Sequence, residues 1–320
     1  MVREYLLRRF ATSVIVLIGI SMILFMMLHL TYPQPGRAVL GVKASVAAVT
    51  AWNRQNGFAG PVTWQYWRYV SLLLHGNLGY SAKLNKPVAE LFAQRWARSL
   101  YLTGTSLLLA MLVAVPLGIW QALRPNQFAD HVTTGVQMVL YAIPAWLLYV
   151  LAIQLLAFTV PVFGYQASQS TSLWAVMGDW HDMTLPIVCS TALIVAGLSR
   201  YMRSAAIDTL AQDFINVARA KGLPRRLVLS RHLLRNASLP MITLLGLSVP
   251  ALLAGNFFVE VVFNYNGLGL LFYTGLQNED YPLMLAYLLV GAILTVLGNL
   301  AADIAYTVAD PRLRLARPGQ

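Results

Sequence analysis

The chain has 320 residues, of which 58% are hydrophobic and only 11% are charged, with a mean hydropathy of +0.61. A soluble domain charges about a quarter of its residues, so this composition excludes one; the apolar residues also gather in blocks of about 20, the length of a helix crossing the hydrocarbon layer. A net charge of +11 could suit nucleic acid, but Lys and Arg are absent from 125–199 and 236–311, voids that a nucleic-acid surface does not explain and the positive-inside rule does.

The first span is predicted at about Phe10–Leu30, behind Arg8 and Arg9. It is longer and more apolar than a signal-peptide core and lacks a small-residue cleavage site, so it reads as a retained anchor. Residues 32–98 follow, with Pro33, Pro35, Gly57, Gly60 and Pro61 among four tryptophans, Trp52, Trp64, Trp67 and Trp96. They read as a small folded cap on the outside. The second span is placed at about Leu100–Leu123, the third at Thr133–Val160, the fourth at Leu185–Met202, the fifth at Leu239–Val262 and the sixth at Leu283–Val308. Pro144 and Pro186 fall in the third and fourth, where neighbouring helices can absorb a lost hydrogen bond.

Six spans put both termini on one side. Residues 200–236 carry eight Lys and Arg, and each tail carries three, so all three segments belong in the cytoplasm. The basic stretch 32–98 would then lie outside. Loops longer than roughly 60 residues cross largely regardless of charge, which permits that placement without explaining it. The expected architecture is an all-α polytopic inner-membrane protein in four parts. Residues 1–31 form a tail and the first helix, 32–98 an external insertion, 99–310 the membrane core with a cytoplasmic segment at 211–236, and 311–320 a tail.

That cytoplasmic segment carries the functional signal. Phe214, Val217 and Ala218 fall on one helical face, with Asp213 favourable in the first turn and Lys221 in the last. Gly222 suits a left-handed residue ending the helix, and Pro224 the first turn of a second helix running through Val228 and His232. A solvated basic loop is the plain alternative, but an apolar face needs a surface to bury against.

Here the sequence resembles the permease family of bacterial ATP-binding-cassette importers, in its dipeptide, oligopeptide and nickel branch. Asn216-Val217-Ala218-Arg219-Ala220-Lys221-Gly222 matches the family's coupling motif, and His232-Leu233-Leu234-Arg235-Asn236-Ala237 follows as in the peptide branch. Further matches run along the chain: Leu7-Arg8-Arg9, His75-Gly76-Asn77-Leu78-Gly79, Ile143-Pro144, Leu185-Pro186, Arg200 to Ser204, Glu260-Val261-Val262-Phe263, Gly267-Leu268-Gly269, Asp280-Tyr281-Pro282 and Asp310-Pro311-Arg312-Leu313-Arg314. Asn216 stands where the generic motif has an acid, Arg37-Ala38 follow Pro35-Gly36 where Asp-Pro is usual, and Asn266 replaces a common proline. The resemblance implies a coupling helix between spans four and five, with Asp213, Asn216, Val217, Ala218, Arg219, Ala220, Lys221, Gly222 and Leu223 docking into an ATPase subunit. It also implies a second homologous permease subunit, two ATPase subunits that bind ATP and Mg, and an external substrate-binding protein. Peptides are the expected cargo; nickel chelates, glutathione-like compounds or sugars are alternatives within the same machine.

Other features have bland readings. Gly267-Leu268-Gly269 lacks the third glycine of a dinucleotide loop, and no Walker-type loop occurs, so no ATP site is expected in this chain. Asn299, Asp303, Tyr306 and Asp310 share one face of the sixth span; a proton relay through Asp303 would make the chain a stand-alone proton-coupled transporter, against packing as the simpler role. Glu260 is expected at the outer interface of the fifth span, with a structural packing role set ahead of contact with substrate on the path. His29, His75, His131, His181, His232 and Cys189 have no metal-ligand spacing, and no nucleophile–base pair stands out, so neither a metal, a cofactor nor catalysis is expected. A receptor using 32–98 as a binding module would explain the insertion but not the cytoplasmic helices.

Overall fold

A computed structural model of the chain describes residues 2–31, 35–41, 43–55, 57–238, 240–241, 244–246, 248 and 256–309. The predicted fifth span, Leu239–Val262, lies partly outside them; its last six residues form helix Phe257–Val262. Among the described residues four helices are long and apolar enough to cross a membrane: Ala11–Thr31, Val88–Leu123, Trp180–Leu210 and Tyr281–Ala301. Phe128–Ala142 and Ala145–Thr159 together would make another crossing, but they are bent by 102°. The predicted third span is therefore no single rod. Proline removes a donor and drives the preceding residue out of helical geometry; Ile143 is extended (φ −71°, ψ 131°) and Pro144 starts the new helix. Pro186 sits in the second turn of Trp180–Leu210, and that helix continues through it.

The chain forms two compact units. The first comprises Met1–Leu100, Pro250–Val261 and Asn266–Leu300. Its insertion after the first helix contains helices Pro35–Leu40, Val46–Gln55 and Val62–Leu74 and a hairpin pairing Tyr80–Ser81 with Lys86–Pro87. Val62, Tyr66, Tyr69, Val70 and Leu73 recur at helical spacing. That stripe packs on Phe25 and Leu28 of the first helix and on Tyr281, Met284 and Leu285 of the last. Tyr66 meets Phe25 edge-on at 5.6 Å and shares a 2.8 Å hydrogen bond with Ser21. Helix Val62–Leu74 is thus packed and hydrogen-bonded to membrane helices of its own unit. Trp64, Trp67 and Trp96 are exposed, whereas Trp52 stacks on Phe58 at 5.8 Å.

The second unit comprises Tyr101–Val249, Val262–Tyr265 and Ala301–Gln320. Its helices approach closely where side chains are small. A Cβ on Gly118 would lie 2.7 Å from the Met202 Cβ and 2.8 Å from the Ser199 carbonyl, the close approach that small residues permit in membranes. Ala122, Met202, Ala206, Leu233, Ala237 and Met241 form the core beneath that crossing.

In the first unit the hairpin is tied down by one polar contact. The Ser81 hydroxyl donates to the Asp280 carboxylate, which also accepts from the Leu283 N–H at 3.4 Å. Burial raises the Asp280 pKa; the Ser81 hydroxyl, the Leu283 amide and the Lys83 charge each pull it partway back. An acid whose folded pKa is raised loses stability as pH climbs from its ordinary value, about 4, through the folded one. Ser81→Ala removes a donor to the charged form and widens that window. It is expected to destabilise by about 1–3 kcal/mol, with a larger drop in detergent melting temperature at pH 8 than at pH 4.

Candidate functional site

Helix Trp180–Leu210 ends only two residues before a short helix, Asp213–Ala220. What ends the short helix is a left-handed glycine. Gly222 has φ +76°, its N–H donates to the Arg219 carbonyl at 2.9 Å, and the Leu223 N–H donates to the Ala218 carbonyl at 3.3 Å. This pair of bonds is the Schellman arrangement, and its usual hydrophobic contact is present where Leu223 packs beside Ala218. The chain then re-enters helix at Arg225–Leu227, passes through a π-helical segment Val228–Leu234 and closes with Arg235–Ala237. Pro224 stands just before that helix, one position earlier than its expected place in the first turn.

The buried face of the short helix differs from the expected one. Ile215 and Ala218 are buried against Val228, while Phe214 and Val217 are 41% and 51% exposed. Ile215 is one residue on from Phe214, and the short connection from the preceding helix turns that side inward. Phe214, Val217 and Lys221 then line one outer face at i, i+3 and i+7. Asp213, Asn216, Arg219, Ala220 and Gly222 are exposed as well; Leu223 is half-buried, and Ala218 serves inside the packing. An exposed phenylalanine–valine pair flanked by Asp213 and Lys221 is a small apolar patch with a polar rim.

A second polar constellation in the same unit went unnoticed in the sequence. Arg203, two turns above the end of Trp180–Leu210, grips Asp130 with two donors, Nε to Oδ1 at 3.1 Å and Nη2 to Oδ2 at 2.9 Å. Asp130 is 4% exposed and also accepts from the Asn126 N–H at 3.0 Å. Gln121 reaches Asp130 and Thr134 at 3.5 and 3.4 Å, and Gln137 donates to the Gln121 carbonyl oxygen at 3.1 Å. Helices Val88–Leu123, Phe128–Ala142 and Trp180–Leu210 are therefore cross-linked by polar side chains within apolar surroundings. The signal was available in part: Gln121 and Gln137 each interrupt an apolar block and each needs a partner there.

Glu260 is fully buried in the first unit. Its carboxylate accepts from the Gly269 N–H at 2.6 Å, the Leu270 N–H at 3.3 Å and the Ser99 hydroxyl at 2.7 Å, while that hydroxyl accepts from the Leu268 N–H at 2.8 Å. Together they satisfy the first free donors of helix Leu268–Gln277 and set negative charge at its positive end. A Cβ on Gly269 would lie 2.8 Å from the Phe257 Cα; one on Gly267 would strike the Glu260 carboxylate and the Ser99 hydroxyl. The two glycines let the carboxylate approach the helix end. Glu260 thus lies inside the protein, capping a helix end. Asp303 falls in helix Tyr281–Ala309 with its side chain outside the described residues. Among the described residues no cluster of His, Cys, Asp and Glu could hold a metal ion.

Comparison with known proteins agrees with this architecture. The family model described as binding-protein-dependent transport system inner membrane component matches residues 114–315, and its N-terminal companion matches 1–103. The oligopeptide transport system permease protein AppB of Bacillus subtilis is 33% identical over 97% of this chain and 98% of its own length. The glutathione transport system permease protein GsiC of Escherichia coli is 31% identical, over 97% and 99%; that of Salmonella typhi is 30% identical over the same shares. The chain belongs to the binding-protein-dependent transport system inner-membrane components, the permease subunits of ATP-binding-cassette importers. It is a multi-pass transport subunit and not an enzyme; ATPase and substrate-binding partners complete such a system.

Two outcomes are expected. Asp130→Ala and Arg203→Ala should each destabilise by about 2–4 kcal/mol, because either leaves a mostly buried charge unpaired, and the double variant should cost much less than their sum. Thermal melts of the four proteins in one detergent measure that coupling. Gly269→Ala should cost about 1–3 kcal/mol by forcing two helices apart, whereas Gly222→Ala, with no atom near its Cβ, should lose only the roughly 1–2 kcal/mol that a left-handed backbone costs.

Proposed function

We propose that this chain is one of two homologous permease subunits forming the path of a peptide importer, and that residues 213–223 seat in a partner ATPase. The observation that carries the reading is the exposed Phe214–Val217 face on a helix locked by the Gly222 turn. The opposite face is already buried, so the apolar patch is left for something outside the chain. A groove in an ATPase subunit is the occupant the family supplies.

Peptide is the cargo because relatives along the whole chain are named for oligopeptides and for glutathione, itself a tripeptide. Two ATPase subunits hold the ATP and Mg, and an external binding protein delivers the peptide. Both termini and 211–236 lie in the cytoplasm, and 32–98 lies outside. Closure of the ATPases moves the short helix, the two-residue link passes the motion to Trp180–Leu210, and the path alternates between inward-open and outward-open arrangements. Rigidity of the turn is what makes the helix a handle.

Left-handed backbone costs a residue with a Cβ roughly 1–2 kcal/mol, and a β-branched one more. Gly222→Val should therefore insert normally, keep ATPase activity in the assembled complex, and lose most peptide uptake in proteoliposomes; Gly222→Asn should retain much of it, since asparagine tolerates this conformation. Uptake by the valine variant at the wild-type ratio to ATP hydrolysed would remove the handle from the mechanism. Labelling of cysteines placed at 214 and 217 from the outside of intact cells would invert the topology and sink the whole reading.

A further inference from the structure

The basic character of the 32–98 insertion is the feature that neither topology nor coupling has absorbed. The stretch holds eight Lys and Arg against one acid, Glu90. Within the first unit, the insertion and the helices it packs on enclose a cavity of about 660 Å³, a volume typical of small-molecule sites. Its walls are aromatic, with Phe25, Trp52, Phe58, Tyr69 and Tyr281, and one cation, Arg68, lines it. No Asp or Glu does.

Arg68 is held in place by unusual means. Gly57, at φ +80°, leaves a space into which the guanidinium fits, and any Cβ there would collide with it. The other face of the guanidinium lies over the Trp64 ring, 5.3 Å from its centroid. Among the described residues it has no carboxylate partner. A pre-oriented, uncompensated guanidinium beside an aromatic box suits a ligand with a carboxylate at one end and an apolar body at the other.

We propose that this cavity is a binding site for such an amphipathic carboxylate, with Arg68 receiving the carboxylate and the Trp52, Phe58 and Tyr281 rings the apolar body. The stacked Trp52–Phe58 pair and the edge-on Phe58–Tyr281 pair, at 5.8 and 5.5 Å, make one continuous wall. Two sources carry this chemistry: the C-terminus of a short hydrophobic peptide, and a fatty acyl chain with a free acid.

The test is calorimetric titration of the full chain in lipid nanodiscs, with empty nanodiscs as the blank. The probes are the dipeptide Leu-Phe, its C-terminal amide, octanoate and octanamide. At least one acid is expected to bind saturably, and about tenfold or more tighter than its amide, the size of a lost charge-assisted hydrogen bond. Arg68→Gln should remove that discrimination, and Arg68→Lys should keep part of it. Binding of Leu-Phe alone assigns the site to peptides, and binding of octanoate alone assigns it to acyl chains. Equal binding of acid and amide overturns the proposal, as does undiminished acid binding in Arg68→Gln, or no saturable binding of either acid into the millimolar range. The acid-to-amide ratio in the unaltered chain decides the matter even if a variant fails to fold. Because binding is read on the chain alone, failure of ATP-driven peptide uptake would count against the proposed function and leave this site standing.

Discussion

The two-pronged grip of Arg203 on Asp130 is the contact on which the proposed mechanics rest. A buried ion pair adds little net stability, because desolvation of two charges offsets most of their attraction. What it does supply is geometry. Arginine's planar fork accepts one orientation of a carboxylate, so Asp130 fixes where Trp180–Leu210 stands beside Phe128–Ala142. Gln121 and Gln137 extend that restraint to Val88–Leu123. A helix that must pass a push from one end to the other cannot slide freely on greasy neighbours. Gly118, where only a hydrogen fits between two backbones, keeps the same helices in close register by packing.

The first unit shows the same constraint solved differently. In a low-dielectric interior every backbone donor must find an acceptor, and a short helix such as Leu268–Gln277 has several free donors at its start. Glu260 and Ser99 meet them from two other helices. The carboxylate could not reach without Gly267 and Gly269, so a Gly-Leu-Gly sequence that superficially suggests a nucleotide loop is explained by a side chain approaching a helix end. No phosphate is needed to account for it.

Much of the architecture was legible because the relevant signals are local or cumulative. Apolar blocks give spans, and a glycine after a short amphipathic stretch gives a left-handed stop; Gly222 adopts that conformation. Legibility failed where the answer depended on which side of a helix its neighbours occupy. Phe214 and Ile215 are both apolar and adjacent, and only the two-residue link from Leu210 decides that Ile215 turns inward. Pro144 and Pro186 look alike in sequence, yet one breaks a helix by 102° and the other is absorbed, because the broken bond lies in mid-span in one case and in the second turn in the other. The Asp130–Arg203 pair is 73 residues apart in the chain, a separation at which pairing cannot be read from pattern alone.

Charge needs the same discrimination by location. Under the proposed topology a basic excess in 200–236 has two sufficient causes, the cytoplasmic side of the bilayer and the rim of the Phe214–Val217 patch, so it demands nothing more. The excess in 32–98 has neither, since the proposed topology places it where positive charge is not favoured. Solvation alone would let those side chains point outward, and several do. Arg68 does not: it is packed into the space above Gly57 and against Trp64, in a wall that holds no acid. Ordering a long side chain there costs conformational entropy, and stacking on one indole recovers only part of it. A cation fixed in that way, facing a cavity with aromatic walls, is accounted for once an anion occupies the space beside it.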